Sequence, residues 1–136
     1  MSKLFTWTEK YAVRVAKLDR EHQTLFKTVN ELDEALAAGK GREVVAGVLK
    51  KLIDYTATHF QDEEALMAKY SFPGLTAHRV EHQKLVEQVL KFQADFTAGK
   101  HDMAITLMPF LQNWLKNHIL QTDKKYSHFL NDHGVH

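Results

Sequence analysis

The sequence has no cysteine, and this absence excludes disulfide bonds, thiolate zinc sites and cysteine-bound iron–sulfur clusters. The formal net charge of +1 gives no sign of a nucleic-acid or membrane-surface partner. No apolar run is long enough to span a membrane, and the N-terminal stretch MSKLFTWTEKYAVRV lacks the apolar centre of a secretory signal. We therefore expect a cytoplasmic protein without nucleic-acid or membrane partners.

Residues that interrupt helices are also scarce, with two prolines and six glycines in 136 residues. A chain of this length favours one domain, here residues 1–136. The glycines and prolines divide it into an N-terminal arm and four long segments. The arm covers residues 1–17, and the segments run over about 19–38, 42–70, 77–97 and 102–130.

Apolar residues recur in each segment at alternating steps of four and three. In the first segment this stripe consists of Leu18, His22, Leu25, Val29, Leu32 and Leu36. Such spacing places the residues on one face of a helix and is typical of the seam of a bundle. Because the loops are short, sequential helices should be antiparallel. We predict an all-α, up-down-up-down four-helix bundle with an N-terminal arm.

Local signals add detail to this bundle. Gly39 and Gly99 suit the positions just after the first and third helices, and Asp19 is a candidate cap at the start of the first. Pro109 predicts a kink inside the fourth helix or, alternatively, marks its start. The arm should pack its aromatic residues against the outside of the bundle: Phe5, Trp7 and Tyr11.

Histidine is the residue in excess, nine in all. Polar side chains occupy six positions on the apolar stripes: His22, His59, Glu63, His78, His82 and His118. One buried histidine is more often a hydrogen-bonded core residue than a ligand. In an up-down-up-down bundle, however, the starts of helices one and three share an end with the ends of helices two and four. The rise of a helix then brings imidazole from all four to one cross-section.

A metal would account for five imidazoles in one layer, because imidazole suits iron, copper and zinc. Five are too many for one tetrahedral zinc, and two metals need carboxylates to bridge them. Glu63 is one, and Asp123 is the best second candidate. Asp123 follows His118 by five residues, which is about 140° away on a regular α-helix. It can point inward if the helix contains a π-bulge, or if it approaches from the edge of the layer.

Four motifs occur in order along the chain: LDREH (18–22), HFQDE (59–63), HRVEH (78–82) and HILQTD (118–123). Together they resemble the hemerythrins, specifically the single-domain bacterial type, the bacteriohemerythrins. The resemblance covers nearly the whole chain and includes the arm with Trp7 and Tyr11. It implies a non-haem di-iron centre that binds dioxygen reversibly.

The resemblance also implies a role for individual residues. One iron would be held by three histidines: His78, His82 and His118. The other would be held by two: His22 and His59. Two carboxylates would bridge the irons beside an oxo or hydroxo group: Glu63 and Asp123. Apolar residues would line the oxygen pocket, although core packing accounts for them equally well: Phe60, Trp114, Leu115 and Ile119.

Several polar residues fall outside these motifs. Four histidines are interpreted as surface residues: His101, His128, His133 and His136. The acidic residues beside Glu63 are interpreted as part of a solvated face: Asp62 and Glu64.

The implied function is oxygen transport, storage or delivery to an oxygen-consuming enzyme, by a monomer that is not itself an enzyme. An alternative is an oxygen or redox sensor that acts through a partner. Because the sequence shows no signalling domain beside the four segments, we expect the carrier. A di-iron oxidase is the third hypothesis, but ferritin-like oxidases use Glu-x-x-His, a motif that is absent from the sequence.

Overall fold

Long helices follow the four apolar stripes in the computed structural model. It describes residues 5–39, 41–99 and 103–136, and for residues 42 and 103–106 the backbone only. The helices are α1 (Ala16–Ala37), α2 (Arg42–Lys69), α3 (Leu75–Thr97), α4 (Met103–Asn117), a π-helical segment (His118–Asp123) and α5 (Lys124–Asp132). The last three follow one another directly and form the fourth helix of the bundle.

Each of the first three helices contacts its successor, and α1 also contacts α4, so the four close into a ring. The part of the chain that the structure describes contains no strand. The prediction of an all-α, up-down-up-down four-helix bundle is thereby confirmed. Within the described ranges, no helix is both long and apolar enough to cross a membrane.

The helix boundaries confirm some local predictions and correct others. Gly39 and Gly99 follow α1 and α3 with φ of +65° and +88°, the left-handed conformation that glycine adopts at helix ends. Asp19 is not the cap of α1, which begins at Ala16. Its Oδ1 instead accepts a hydrogen bond from Val13 N at 2.8 Å, because the arm folds back over the first turn. Pro109 lies inside α4 and does not begin it.

Two apolar clusters fill the interior of the bundle. The larger spans most of its length and includes Leu25, Leu49, Leu85 and Leu111. The smaller lies at the end where the arm enters: Val13, Val15, Leu18, Met67, Tyr126 and Leu130. Between them along every helix stand the polar stripe residues, as His22 does between Leu18 and Leu25. A polar layer therefore divides the core.

The arm packs onto the outer side of α1. Phe5 and Tyr11 are buried, and their ring centroids lie 4.4 Å and 5.0 Å from that of Phe26. Buried Asn30 holds the arm by its backbone, since its Oδ1 accepts from Phe5 N at 2.8 Å and its Nδ2 donates to Phe5 O at 2.9 Å. Trp7 is partly buried, 5.6 Å from Phe26.

The arm is also fastened to the fourth helix beside the polar layer. Ser127 Oγ donates to Val13 O at 2.6 Å, and Lys124 Nζ donates to Ala12 O. Residues of the arm thus close the end of the bundle over the smaller cluster.

We predict that Asn30→Ala lowers the free energy of unfolding by about 1–3 kcal/mol, because it leaves the buried N–H and C=O of Phe5 unpaired. Urea unfolding measures the change, with Asn113→Ala at an exposed position of α4 as the control. A loss no larger than that of the control would show that the arm does not depend on this contact.

Candidate metal centre

The polar layer brings together all seven side chains that the sequence analysis singled out as ligands. None is more than 4% exposed. They come from all four helices of the bundle: His22 (α1), His59 and Glu63 (α2), His78 and His82 (α3), His118 and Asp123 (π-helical segment). The ring centroids of His78, His82 and His118 lie 4.5–5.0 Å from one another.

The backbone explains how pairs of ligands from one helix converge. His59 and Glu63, like His78 and His82, are four residues apart in α-helices and so share a face. His118 and Asp123 are five apart, but they bound a π-helical segment, in which backbone hydrogen bonds link residues five apart. Asp123 consequently stands one turn beyond His118, with its Oδ1 2.9 Å from His118 Nε2. Of the two routes considered for Asp123, the π-bulge is confirmed.

One side of the layer, the three-histidine half, contains His78, His82 and His118. Asp123 Oδ1 lies 3.0 Å from His78 Nε2, and Glu63 Oε1 lies 3.2 Å from His82 Nε2. The Nε2 atoms of His82 and His118 are 3.2 Å apart. Atoms that bind one metal at about 2.1 Å and at right angles are about 3.0 Å apart. These separations therefore suit a shared cation.

The other side, the two-histidine half, contains His22 and His59. Glu63 Oε2 lies 3.0 Å from His22 Nε2 and 3.1 Å from His59 Nε2. Asp123 Oδ2 lies 3.2 Å from His22 Nε2. Each carboxylate thus turns one oxygen to each half, which is the arrangement of a bridge between two cations.

The hydrogen bonding of the layer is incomplete without a cation. Among the described residues, buried side-chain nitrogen and oxygen atoms without a hydrogen-bond partner are confined to this layer: His22 Nδ1, Glu63 Oε1, His78 Nε2, His118 Nδ1 and both oxygens of Asp123. Buried polar groups are nearly always paired, so such a concentration calls for a ligand. The groups of side chains that could hold a metal, within the described residues, both lie here. Nitrogen with carboxylate oxygen is a donor set suited to iron.

Mutual charge sets the protonation of the layer in the absence of metal. Burial lowers the pKa of His22, but the close carboxylates of Asp123 and Glu63, 3.2 Å and 3.0 Å from its Nε2, outweigh burial and raise that pKa to about 10. The pKa of His78 is raised in the same way, to about 9. Burial raises the pKa of Glu63, yet the charge of His59 and hydrogen bonds from histidines hold it well below its usual value.

Two carboxylates outside the layer orient imidazoles, and a third lies nearby. Glu81 is 3.5 Å from His118 Nδ1 but makes no hydrogen bond to it. Glu21 lies 2.7 Å from His59 Nδ1, and Glu64 lies 2.9 Å from His82 Nδ1. Such partners of Nδ1 fix the tautomer that leaves Nε2 free as a ligand. Arg79 Nε in turn donates to Glu64 at 3.1 Å.

These outer carboxylates are the residues that the sequence analysis missed. The solvated-face interpretation was wrong for Glu64, because its carboxylate turns back to His82. It suits Asp62, which is partly exposed and 3.7 Å from Lys17. Glu21, Glu64 and Glu81 each directly adjoin a ligand in the sequence, and that adjacency was the available signal.

The four predicted pocket residues adjoin the layer mainly on the three-histidine half. The ring of Phe60 stacks on His82 at 3.6 Å, and Trp114 stacks on His118 at 4.3 Å. Leu115 and Ile119 are buried in the larger apolar cluster. A surface cleft lined by Glu81, Trp114 and Thr122, among others, reaches His118. Whether these residues line an oxygen pocket stays a prediction.

The surface assignment of the remaining histidines is confirmed where the structure describes them. His128, His133 and His136 are exposed. His101 lies outside the described residues.

Comparison with known proteins identifies relatives of the chain. The family model described as the Hemerythrin HHE cation binding domain matches residues 13–130. The Bacteriohemerythrin of Methylococcus capsulatus is 37% identical over 124 residues, which cover 90% of this chain and 94% of the relative. A Hemerythrin-like protein of Naegleria gruberi is 33% identical over 122 residues, covering 90% of each chain. The predicted resemblance is confirmed.

A solved structure agrees with the fold as well. A crystal structure of wild-type hemerythrin superposes with a TM-score of 0.83 at 36% identity, covering 91% of this chain and 95% of the other.

The metal-free protein should be most stable at mildly acidic pH. His22 and His78 have folded pKa values of about 10 and 9 against an ordinary 6.5, so their stabilisation is complete below pH 6.5. It is lost as the pH rises through 9 and 10. The lowered pKa of Glu63 acts in the opposite direction, with stabilisation present above its ordinary 4.5 and lost in acid.

Urea unfolding of metal-free protein should accordingly give a lower stability at pH 9.5 than at pH 6. The metal-loaded protein is the control, because bound histidines are neutral and their affinity for metal falls in acid. Equal or greater stability of the metal-free form at pH 9.5 would contradict these protonation states.

Glu64→Gln should weaken metal binding roughly tenfold, because it removes the charge that orients His82 and strengthens it as a donor. Asp62→Asn is the matched control, since it neutralises a neighbouring carboxylate that does not contact a ligand. Competition of Fe²⁺ against a chelator measures both affinities. Identical losses in the two variants would mean that Glu64 acts only through net charge.

Proposed function

Because the chain belongs to the hemerythrin family, we propose that its buried layer holds two iron ions and binds dioxygen reversibly. The observation that carries this proposal is the division of both carboxylates between two sets of imidazoles. Glu63 and Asp123 each face the three-histidine half with one oxygen and the two-histidine half with the other. A single cation would not need two such bridges.

We assign the ligands by half. The first iron would be bound by His78, His82 and His118. The second would be bound by His22 and His59. Glu63 and Asp123 would bridge them, together with the oxo or hydroxo group that the family implies. When bound, a pair of ferrous ions would supply the two electrons with which dioxygen is held.

The protein makes the two halves unequal. It groups five donor residues in the three-histidine half and three in the two-histidine half, His22, His59 and Glu63. Asp123 Oδ2, 3.2 Å from His22 Nε2, can act as a fourth donor there. With one further bridging ligand, the first iron would have about six donors from these residues, and the second would have fewer. We therefore propose that dioxygen, and small anions such as azide, bind on the side of His22 and His59.

The surroundings suit reversible binding better than oxidation of a substrate. The layer is rich in nitrogen and has only two carboxylates, and Phe60 and Trp114 stack on its imidazoles. All seven ligand side chains are at most 4% exposed, so water has little access to their donor atoms. We propose transport, storage or delivery of oxygen as the role, with dioxygen as the partner of this site and an oxygen-consuming enzyme as the recipient.

We predict about two irons per chain and a visible charge-transfer band that appears with oxygen and disappears under argon over repeated cycles. Metal analysis and absorption spectroscopy of protein produced with ample iron measure both. His59→Ala serves as the negative control, because it removes a ligand of the two-histidine half. One metal per chain, stoichiometric zinc, or rapid irreversible oxidation on the first cycle would contradict the proposal.

A further inference from the structure

Tyr126 is a buried titratable residue that the proposed ligand set leaves without a role. It lies three residues after Asp123, on the fourth helix, and is 0% exposed. In sequence it falls on the apolar stripe as an ordinary core aromatic, and its ring belongs to the smaller apolar cluster. Its hydroxyl, however, points into the polar layer.

The hydroxyl of Tyr126 makes one short contact there. It donates to Glu63 Oε2 at 2.6 Å, and Oε2 is the oxygen that faces His22 and His59. A tyrosine hydroxyl is protonated at neutral pH, and next to a carboxylate oxygen it can only be the donor. Hydrogen bonds to charged acceptors are about twice as strong as neutral ones.

This contact distinguishes the two bridging carboxylates. Within the described residues, the other three carboxylate oxygens have no hydrogen-bond partner: Glu63 Oε1 and both oxygens of Asp123. The phenol thus acts on one of four bridging oxygens. A carboxylate oxygen that accepts a hydrogen bond gives up part of its negative charge to the donor and is a weaker ligand.

We propose that Tyr126 is a positioning residue that holds Glu63 in its bridging orientation and withdraws charge from the oxygen facing the two-histidine half. The proposal rests on the proposed di-iron function. The half that lacks one donor is then also the half with the weaker carboxylate oxygen. A cation in the two-histidine half would therefore attract a further small ligand more strongly than it would without the phenol. The reduced protein would also lose electrons less readily.

Azide binding to the oxidised holoprotein tests this role. Tyr126→Phe should weaken azide binding roughly threefold to tenfold, since a fraction of one charged hydrogen bond is lost. It should also move the azide charge-transfer band to shorter wavelength and speed oxidation of the reduced protein in air. Tyr11→Phe, which removes the hydroxyl of another buried tyrosine, is the matched control and should match the parent.

A purely structural tyrosine would lower the melting temperature and leave azide affinity and band position unchanged. A second experiment covers the case in which Tyr126→Phe folds poorly. The chain has four tyrosines, and a parent with Tyr11, Tyr55 and Tyr70 replaced by Phe can be produced with 3-fluorotyrosine at position 126 alone. The more acidic phenol of 3-fluorotyrosine is a stronger donor. It should strengthen azide binding and move the azide band to longer wavelength, opposite to Tyr126→Phe.

If the parent binds two irons but neither Tyr126→Phe nor 3-fluorotyrosine changes the azide affinity and the azide band, only the role of Tyr126 is overturned. A parent that binds fewer than two irons would overturn the proposed function and this inference with it.

Discussion

Two carboxylates buried in the middle of the bundle impose the constraint on which the rest of the structure depends. Glu63 and Asp123 are 0% and 1% exposed, and three of their four oxygens lack a hydrogen bond among the described residues. Charge so far from water is costly unless opposite charge meets it. Metal-free protein can meet it only by protonating histidines such as His22, whose pKa rises accordingly. Two cations would meet it while leaving the imidazoles neutral as ligands.

The elements around this layer can be understood as supports for it. Apolar clusters lie on both sides, and the arm closes the smaller one through Val13 and Ser127. Outside the imidazoles stand carboxylates that fix the ring tautomers, and one of them, Glu64, is itself held by exposed Arg79. Polar residues of α2 and α3 therefore surround the ligands toward the surface. Along the bundle axis, apolar residues pack against the ligands instead. This combination keeps the donor atoms both dry and preorganised.

Sequence spacing was sufficient for the bundle and for the layer because both depend on the regular rise and twist of helices. It could not choose between two routes for Asp123, since the change of backbone hydrogen bonding over His118–Asp123 leaves no periodic mark in the sequence. It also misjudged Glu64. That residue is off the apolar stripe, and only the packing of α3 beside α2 brings His82 within reach. The phenol of Tyr126 was hidden for the opposite reason, because on the stripe an aromatic residue looks like ordinary core. Residues that act on ligands are specified by tertiary contacts, which spacing along one helix does not contain.

We propose that one buried layer holds two cations that share Glu63 and Asp123. X-ray diffraction from crystals of the iron-loaded protein, measured on both sides of the iron absorption edge, tests it most directly. We predict two anomalous peaks, one beside His22 and His59 and one beside His78, His82 and His118, with each carboxylate bound to both irons. A single peak in the layer, or two peaks that do not share Glu63 and Asp123, would contradict it.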